Sequence, residues 1–137
     1  MKFEIIQGGL SFNQHPDILP PVSHESSNKT DLKHLNGTIS MARNEPGSVS
    51  SEILICINDQ PDLDYDGSRN PDDLGFAGFG MVKSGMNIVK KIQESTSDGQ
   101  MLNKPLIVKS IKRIWILTII TKTSNSNTLS FFGMENQ

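Results

Sequence analysis

Residues 37–57, GTISMARNEPGSVSSEILICI, decide the fold of this chain. Two short apolar runs, at 38–42 and 53–57, flank a connector rich in Pro, Gly and Ser. Aliphatic and β-branched residues bounded by such turn formers are typical of two strands joined by a wide loop. Ser40, Ala42 and Glu52 are small or polar where a strand in a core would be apolar. We therefore predict two strands with one face lining a groove.

The segments on either side predict further strands. An apolar strand is expected at 3–7, and Gly8 and Gly9 end it because adjacent glycines permit a sharp turn. A Gly- and Phe-rich run at 75–82 predicts another strand, and the apolar and basic residues at 106–120 predict a β-rich segment. The chain is therefore expected to be mostly β.

Residues 85–94, GMNIVKKIQE, predict the one convincing helix. Met86, Val89 and Ile92 recur at helical spacing and give the segment one apolar face. Ser84 precedes this run and is a candidate N-cap.

Composition narrows the class of protein. The 137 residues suit one domain or most of one, and the 11 Gly and 7 Pro favour a loop-rich β structure. A formal net charge of −2 gives no electrostatic basis for binding nucleic acid or an acidic membrane. The first nine residues lack the apolar core of a signal peptide, which favours a cytoplasmic location for the chain as given. Cys56 lies in an apolar strand and is expected to be a buried, inert thiol.

No metal or cofactor is expected. The three histidines are spread along the chain without a completing cluster, and surface or locally bonded histidines are the preferred interpretation: they are His15, His24 and His34. The stretch DLDYDG at 62–67 is similar to a calcium loop, but its twelfth position is Asp73 instead of Glu. A turn-forming acidic loop is therefore the favoured interpretation.

Four stretches, in order along the chain, resemble the cyclophilins, which are peptidyl-prolyl cis–trans isomerases. They are IIQGG at 5–9, GTISMAR at 37–43, SSEILICI at 50–57 and FAGFGMVKSGMNIVKKIQ at 76–93. LPPVSHE and DQPDLDYDGSRNPD between them resemble insertions of a bacterial subgroup. The resemblance implies a closed antiparallel β-barrel with capping helices, and isomerisation of X–Pro bonds in polypeptides.

The resemblance also implies which residues meet a substrate. Gln7 falls on a glutamine that bonds the substrate backbone, and Leu54 replaces a phenylalanine of the proline pocket. Arg43 sits where contact is made chiefly through the backbone, and Glu52 replaces a glutamine. The full set of expected substrate-binding residues is Ile5, Gln7, Ala42, Arg43, Glu52, Leu54, Leu63 and Phe76.

The family's catalytic arginine lies on the strand before the stretch that IIQGG resembles, so it would precede Met1. No catalytic residue is therefore identified in this chain. The first strands and first helix of the family are also expected to be missing. The expected organisation is a partial cyclophilin-like domain at 1–120 and a polar, flexible tail at 121–137.

Two functions follow from these expectations. The first is a peptidyl-prolyl isomerase acting on proline-containing polypeptides during folding. The second is a catalytically impaired or inactive peptide-binding fragment, whose open strand edges would favour self-association. Neither hypothesis involves nucleic acid or a membrane.

Overall fold

The structure is a computed structural model that describes residues 4–10 and 15–114. The chain divides into two units, Met1–Asn103 and Lys104–Gln137. Within the described residues, every helix and strand lies in the first unit.

A four-stranded antiparallel sheet forms the centre of the first unit. Its strands are β1 (Ile5–Gly8), β2 (Thr38–Met41), β3 (Ile53–Cys56) and β4 (Ala77–Met81). Their order is β1-β3-β2-β4, so β3 pairs on both sides. These four strands confirm the ones predicted at 3–7, 38–42, 53–57 and 75–82, and the expectation of a mostly β, antiparallel fold is confirmed too.

The two outer strands of this sheet, β1 and β4, are not paired with each other in the described part of the chain. β1 and β4 are therefore the outermost strands of the sheet among the described pairings. Self-association through these edges stays a prediction.

The pairing of β2 with β4 contains a bulge. Ile39 lies opposite Gly80, whereas the next residue, Ser40, lies opposite Gly78. Phe79 is therefore an extra residue on β4, and its side chain is 43% exposed.

The smaller elements surround the sheet. α1 (Ser27–Thr30) lies between β1 and β2, and a 3₁₀ turn (Pro61–Leu63) lies between β3 and β4. The others follow β4, namely α2 (Met86–Gln93) and the short hairpin of β5 (Ser97–Asp98) and β6 (Met101–Leu102).

Helix α2 confirms the helix predicted at 85–94, but not its cap. Its N-cap is Gly85, in the left-handed region at φ 94°, and no side chain caps the helix. The prediction of Ser84 as N-cap is wrong because the chain turns into the helix one residue later. α2 packs against β1, with Val89 buried and Ile88 turned to solvent. None of the described helices is long and apolar enough to cross a membrane.

The core is a small apolar cluster on one face of the sheet. Its buried members are Ala42, Leu54, Cys56, Leu63 and Phe76, and Ile5 packs against them. Cys56 is completely buried, and burial raises the pKa of its thiol to about 12. This is the inert thiol that the sequence predicts.

The described part of the second unit, residues 104–114, has no regular secondary structure and is exposed. The strand predicted at 106–120 is therefore wrong as far as residue 114, because the backbone there lacks the pairing that a strand needs. Residues 115–120 and the predicted tail at 121–137 lie outside the described residues, and the predicted boundary at 120 stays a prediction.

Gly75 allows the chain to enter β4 close to the 3₁₀ turn. Its φ is +62°, and a Cβ placed there would overlap the carbonyl oxygens of Leu63 and Asp64. The next residue, Phe76, donates its N–H to the Leu63 carbonyl at 2.9 Å. The close approach therefore positions two members of the core together.

We expect Gly75→Ala to lower the free energy of unfolding by about 2–5 kcal/mol, the sum of left-handed strain and overpacking. Gly47 is the matched control, because its φ is +78° and a Cβ there meets nothing within 4 Å. Gly47→Ala should cost only the strain, about 1–2 kcal/mol. Urea unfolding of both variants measures the difference, and equal losses would show that the overlap at Gly75 is relieved.

Candidate functional site

Five of the eight residues predicted to bind substrate meet in the apolar cluster. Leu54 comes from β3, Leu63 from the 3₁₀ turn and Phe76 from the residue before β4. Ala42 follows β2, and Ile5 comes from the edge strand β1. Four of them are nearly inaccessible, whereas Ile5 is only half-buried. Ile5, on β1, is therefore the most accessible of the five.

Gln7 lies on the same strand as Ile5, two residues further along. It lies directly opposite Leu54 in the pairing of β1 with β3, so the two side chains share a face of the sheet. Ile5 lies opposite Cys56 on the same face. Because β1 is an edge strand, Gln7 is exposed, and its amide offers both a donor and an acceptor beside the apolar cluster.

The side chain of Arg43 is fully buried, against Asp72, Gly75 and Phe76. Two of its nitrogens each donate to an oxygen of Asp72 at 2.8 Å, and Nε donates to the Gly75 carbonyl at 2.8 Å. The guanidinium carbon lies 5.7 Å from the centre of the Phe76 ring. The hydrogen bonds from Arg43 lower the pKa of Asp72 to about 2, so this pair stays charged over the ordinary pH range. Arg43 therefore packs against the Phe76 ring and fixes the backbone of the preceding residue, Gly75.

Glu52 lies beside a small cavity, which is a second part of the candidate site. Its backbone carbonyl accepts from the Ala42 N–H at 2.8 Å, and its side chain is buried. A cavity of about 30 Å³ adjoins it, with Ala42 as a shared wall between cavity and apolar cluster. The polar lining of this cavity is Asn44, Ser48, Ser50, Ser51 and Glu52.

Gly9 is placed against the same carboxylate. A Cβ at Gly9 would lie 2.6 Å from Oε1 of Glu52 and 2.5 Å from the Ser51 carbonyl oxygen. Only glycine fits between them, which gives the second glycine of the predicted turn a packing role.

His34 is part of a buried network that sequence reasoning did not find. Its Nδ1 lies 2.8 Å from Oδ1 of Asp64, and its Nε2 lies 2.9 Å from Oγ of Ser40. Its backbone N–H also donates to Oδ1 of Asp64 at 3.0 Å. The network joins β2 to the residue that follows the 3₁₀ turn, and so fixes Leu63 against the sheet. The signal was Ser40, since a hydroxyl facing a strand's buried side needs a partner.

A serine, a histidine and an aspartate in this order are also the parts of a nucleophilic triad. Here Ser40 is 0% exposed and His34 is 1% exposed. No substrate carbonyl can reach the hydroxyl, so the arrangement is structural. Within the described residues, no three metal-binding side chains converge, and the acidic loop at 62–67 forms turns.

The family model for cyclophilin-type peptidyl-prolyl cis–trans isomerases matches residues 1–113. The chain belongs to this family. It is 38% identical over 119 residues to peptidyl-prolyl cis-trans isomerase A of Dickeya dadantii, covering 82% of this chain and 60% of that protein. It is 32% identical over 116 residues to the isomerase cyp18 of Streptomyces antibioticus, covering 79% and 68%.

A third relative, a peptidyl-prolyl cis-trans isomerase of Acinetobacter baylyi, is 37% identical over 93 residues, covering 66% of this chain and 46% of that protein. The chain thus spans between about half and two thirds of the length of these relatives. For this cyclophilin-type chain, the assignment of the eight residues to substrate binding stays a prediction.

Burial disfavours the protonated form of His34 and lowers its pKa below the ordinary value of 6.5, although the hydrogen bond to Asp64 raises it in part. The unfolded chain therefore binds this proton more readily than the folded chain does. Stability from neutral His34 is fully present above about pH 6.5 and is lost as the pH falls through the lowered pKa.

We expect His34→Gln to flatten the pH dependence of stability below pH 6.5 and to lower stability at pH 7.5 by about 1–3 kcal/mol, since Ser40 and Asp64 lose a partner. Urea unfolding between pH 5 and 7.5 is the measurement, with the exposed His15 replaced by Gln as control. An unchanged slope in His34→Gln would show that another group is responsible.

Gly9 and Gly8 provide a matched pair at the turn after β1. A Cβ at Gly8 meets nothing within 4 Å, whereas one at Gly9 overlaps Ser51 and Glu52. We expect Gly9→Ala to destabilise the fold by about 1–3 kcal/mol and Gly8→Ala to change stability by less than about 0.5 kcal/mol. Thermal and urea unfolding of the two variants compare them, and equal stability would contradict the packing role of Gly9.

Proposed function

We propose that this chain binds the X–Pro segment of a polypeptide and accelerates its cis–trans isomerisation. Membership of the cyclophilin-type family supports the activity, and so do the three relatives, which are all named as peptidyl-prolyl cis-trans isomerases. The structural observation that carries the proposal is the apolar cluster that groups five of the residues predicted to bind substrate, with the exposed Gln7 beside Leu54 on the same face of the sheet.

The chemistry requires no covalent step. Rotation about the X–Pro bond is slow because the amide has partial double-bond character and a barrier of about 18–20 kcal/mol. A protein accelerates it by binding the twisted amide more strongly than either planar form. The planar amide is the more polar state, so apolar surroundings around the prolyl ring favour the twisted one.

Different residues would contact the prolyl ring and the neighbouring substrate backbone. Ile5 and the side chains behind it offer an apolar surface to the prolyl ring. Gln7 can donate to a substrate carbonyl and accept from a substrate N–H, which fixes the chain next to the ring. Arg43 packs against Phe76, and His34 bonds Asp64, the residue after Leu63, so both hold apolar members of the cluster in place.

Exchange NMR on a short peptide with one Ala–Pro bond tests the proposal. We expect interconversion to rise in proportion to protein concentration. Gln7→Ala should lower kcat/KM by about fivefold to fifteenfold, the equivalent of one lost hydrogen bond of about 1–1.5 kcal/mol.

Asn87→Ala is the control, because this exposed amide lies on α2. It should leave the rate unchanged. A rate equal to the uncatalysed one at high protein concentration would reject the proposed activity.

A further inference from the structure

The turn before β2 contains the one Asn–Gly pair of the sequence, Asn36–Gly37. Such a pair is chemically reactive, because the backbone nitrogen of the glycine can attack the side-chain amide of the asparagine and the glycine has no side chain to obstruct the approach. Every other asparagine of the chain is followed by a larger residue. Asn36 is exposed, so water reaches its side chain.

The fold requires this pair at the turn. Thr38 donates its N–H to the Leu35 carbonyl at 2.9 Å, which places Asn36 and Gly37 at the two central positions of a β-turn. Gly37 has a φ of +87°, a backbone conformation that residues with a side chain rarely adopt. The reactive glycine therefore cannot be exchanged without strain.

Hydrogen bonds hold both reacting groups in the folded chain. The attacking nitrogen is that of Gly37, whose N–H donates to the Cys56 carbonyl at 2.9 Å. Oδ1 of Asn36 accepts from the Asn58 N–H at 2.9 Å, and the Asn36 N–H donates to Oδ1 of Asp59 at 2.9 Å. For the attack, the Gly37 nitrogen must lose its proton and turn towards Cγ of Asn36. The bonds to the end of β3 and to the residues after it must therefore open first.

The turn is bonded to both strands that flank β2. Cys56 is the last residue of β3 and is completely buried. On the other side, the Gly37 carbonyl accepts from the N–H of Val82, the residue after β4, at 2.9 Å. Movement of the turn therefore requires this part of the sheet to open.

We propose that Asn36 is a site of spontaneous deamidation that the folded chain suppresses, so that its modification follows opening of the sheet around β2. In the reaction, the Gly37 nitrogen forms a bond to Cγ of Asn36, and the bond from Cγ to Nδ2 breaks. Nδ2 leaves as ammonia with the proton of the Gly37 nitrogen, and a cyclic imide remains. Water then opens the imide at either carbonyl and leaves aspartate or isoaspartate at position 36. The reaction needs water alone and does not depend on the proposed function.

Either product disturbs the turn from which it forms. Isoaspartate adds a methylene group to the main chain, which displaces the Gly37 N–H from the Cys56 carbonyl. Aspartate adds a negative charge beside Asp59, whose carboxylate already bonds the backbone of residue 36, and like charges at close range repel each other. The modification therefore weakens the contacts that prevent it, and a chain that has reacted does not regain the original turn.

Mass spectrometry of the full chain at mildly alkaline pH tests the proposal. Deamidation changes the mass, and fragmentation of the digested protein assigns the position. In the chain unfolded by urea, we expect position 36 to react first. In the folded chain, we expect the reaction there to be at least about tenfold slower, because it must wait for a local opening of the structure.

Variants at Asp59 test whether the hydrogen bonds of the turn provide the protection. Asp59→Ala removes the acceptor of the Asn36 N–H, and the loss of one hydrogen bond is worth about fivefold in an equilibrium constant. The rate in the folded chain relative to the unfolded chain should therefore rise by about threefold to tenfold. Asp59→Asn keeps an acceptor oxygen and should keep the protection. Asp17→Ala removes an exposed carboxylate elsewhere in the chain and is the control.

Circular dichroism verifies that each variant folds before its rate is measured. Equal rates in the folded and the unfolded chain would overturn the proposal, and so would a first reaction at another asparagine of the unfolded chain. An unchanged ratio of the two rates in folded Asp59→Ala would also contradict it. The comparison of the folded with the unfolded natural chain needs no variant, so the test stands even where a substitution prevents folding.

Discussion

β3 hydrogen-bonds to β1 on one side and to β2 on the other, and the candidate site depends on this double pairing. It places Leu54 opposite Gln7 in one ladder and opposite Ser40 in the other. The three side chains share one face because opposite residues in antiparallel strands point the same way. A slip of one residue in either ladder would put Leu54 and its partner in that ladder, Gln7 or Ser40, on opposite faces of the sheet.

Two buried polar anchors hold the loop between β3 and β4 against that face. Asp64 bonds His34, and Asp72 bonds Arg43, so each acidic residue meets a partner that lies before it by 30 or 29 positions. Leu63 and Phe76 lie directly beside these anchors and complete the cluster. Two of the six aspartates between β3 and β4 therefore serve to position apolar residues.

The sequence allowed the local elements to be predicted, since apolar runs and turn residues act over a few positions. The strands and α2 follow from such runs. The partners of His34 and Arg43 could not be predicted, because these contacts depend on loops that the fold brings together. Residues 106–114 are a different case. Their composition predicts a strand, but they pair with no strand in the described part of the chain. For the site, the resemblance grouped the right apolar residues, but the buried direction of the Arg43 side chain required coordinates.

The bulge at Phe79 lets one short strand serve two surfaces. Before it, Ala77 is buried, whereas after it Met81 is about half exposed. An added residue changes the phase of side-chain alternation without a break in the strand. Removing Phe79 would restore regular alternation and exchange the inward and outward positions in one half of β4. Substitutions in β4 must therefore be designed separately for the residues before and after Phe79.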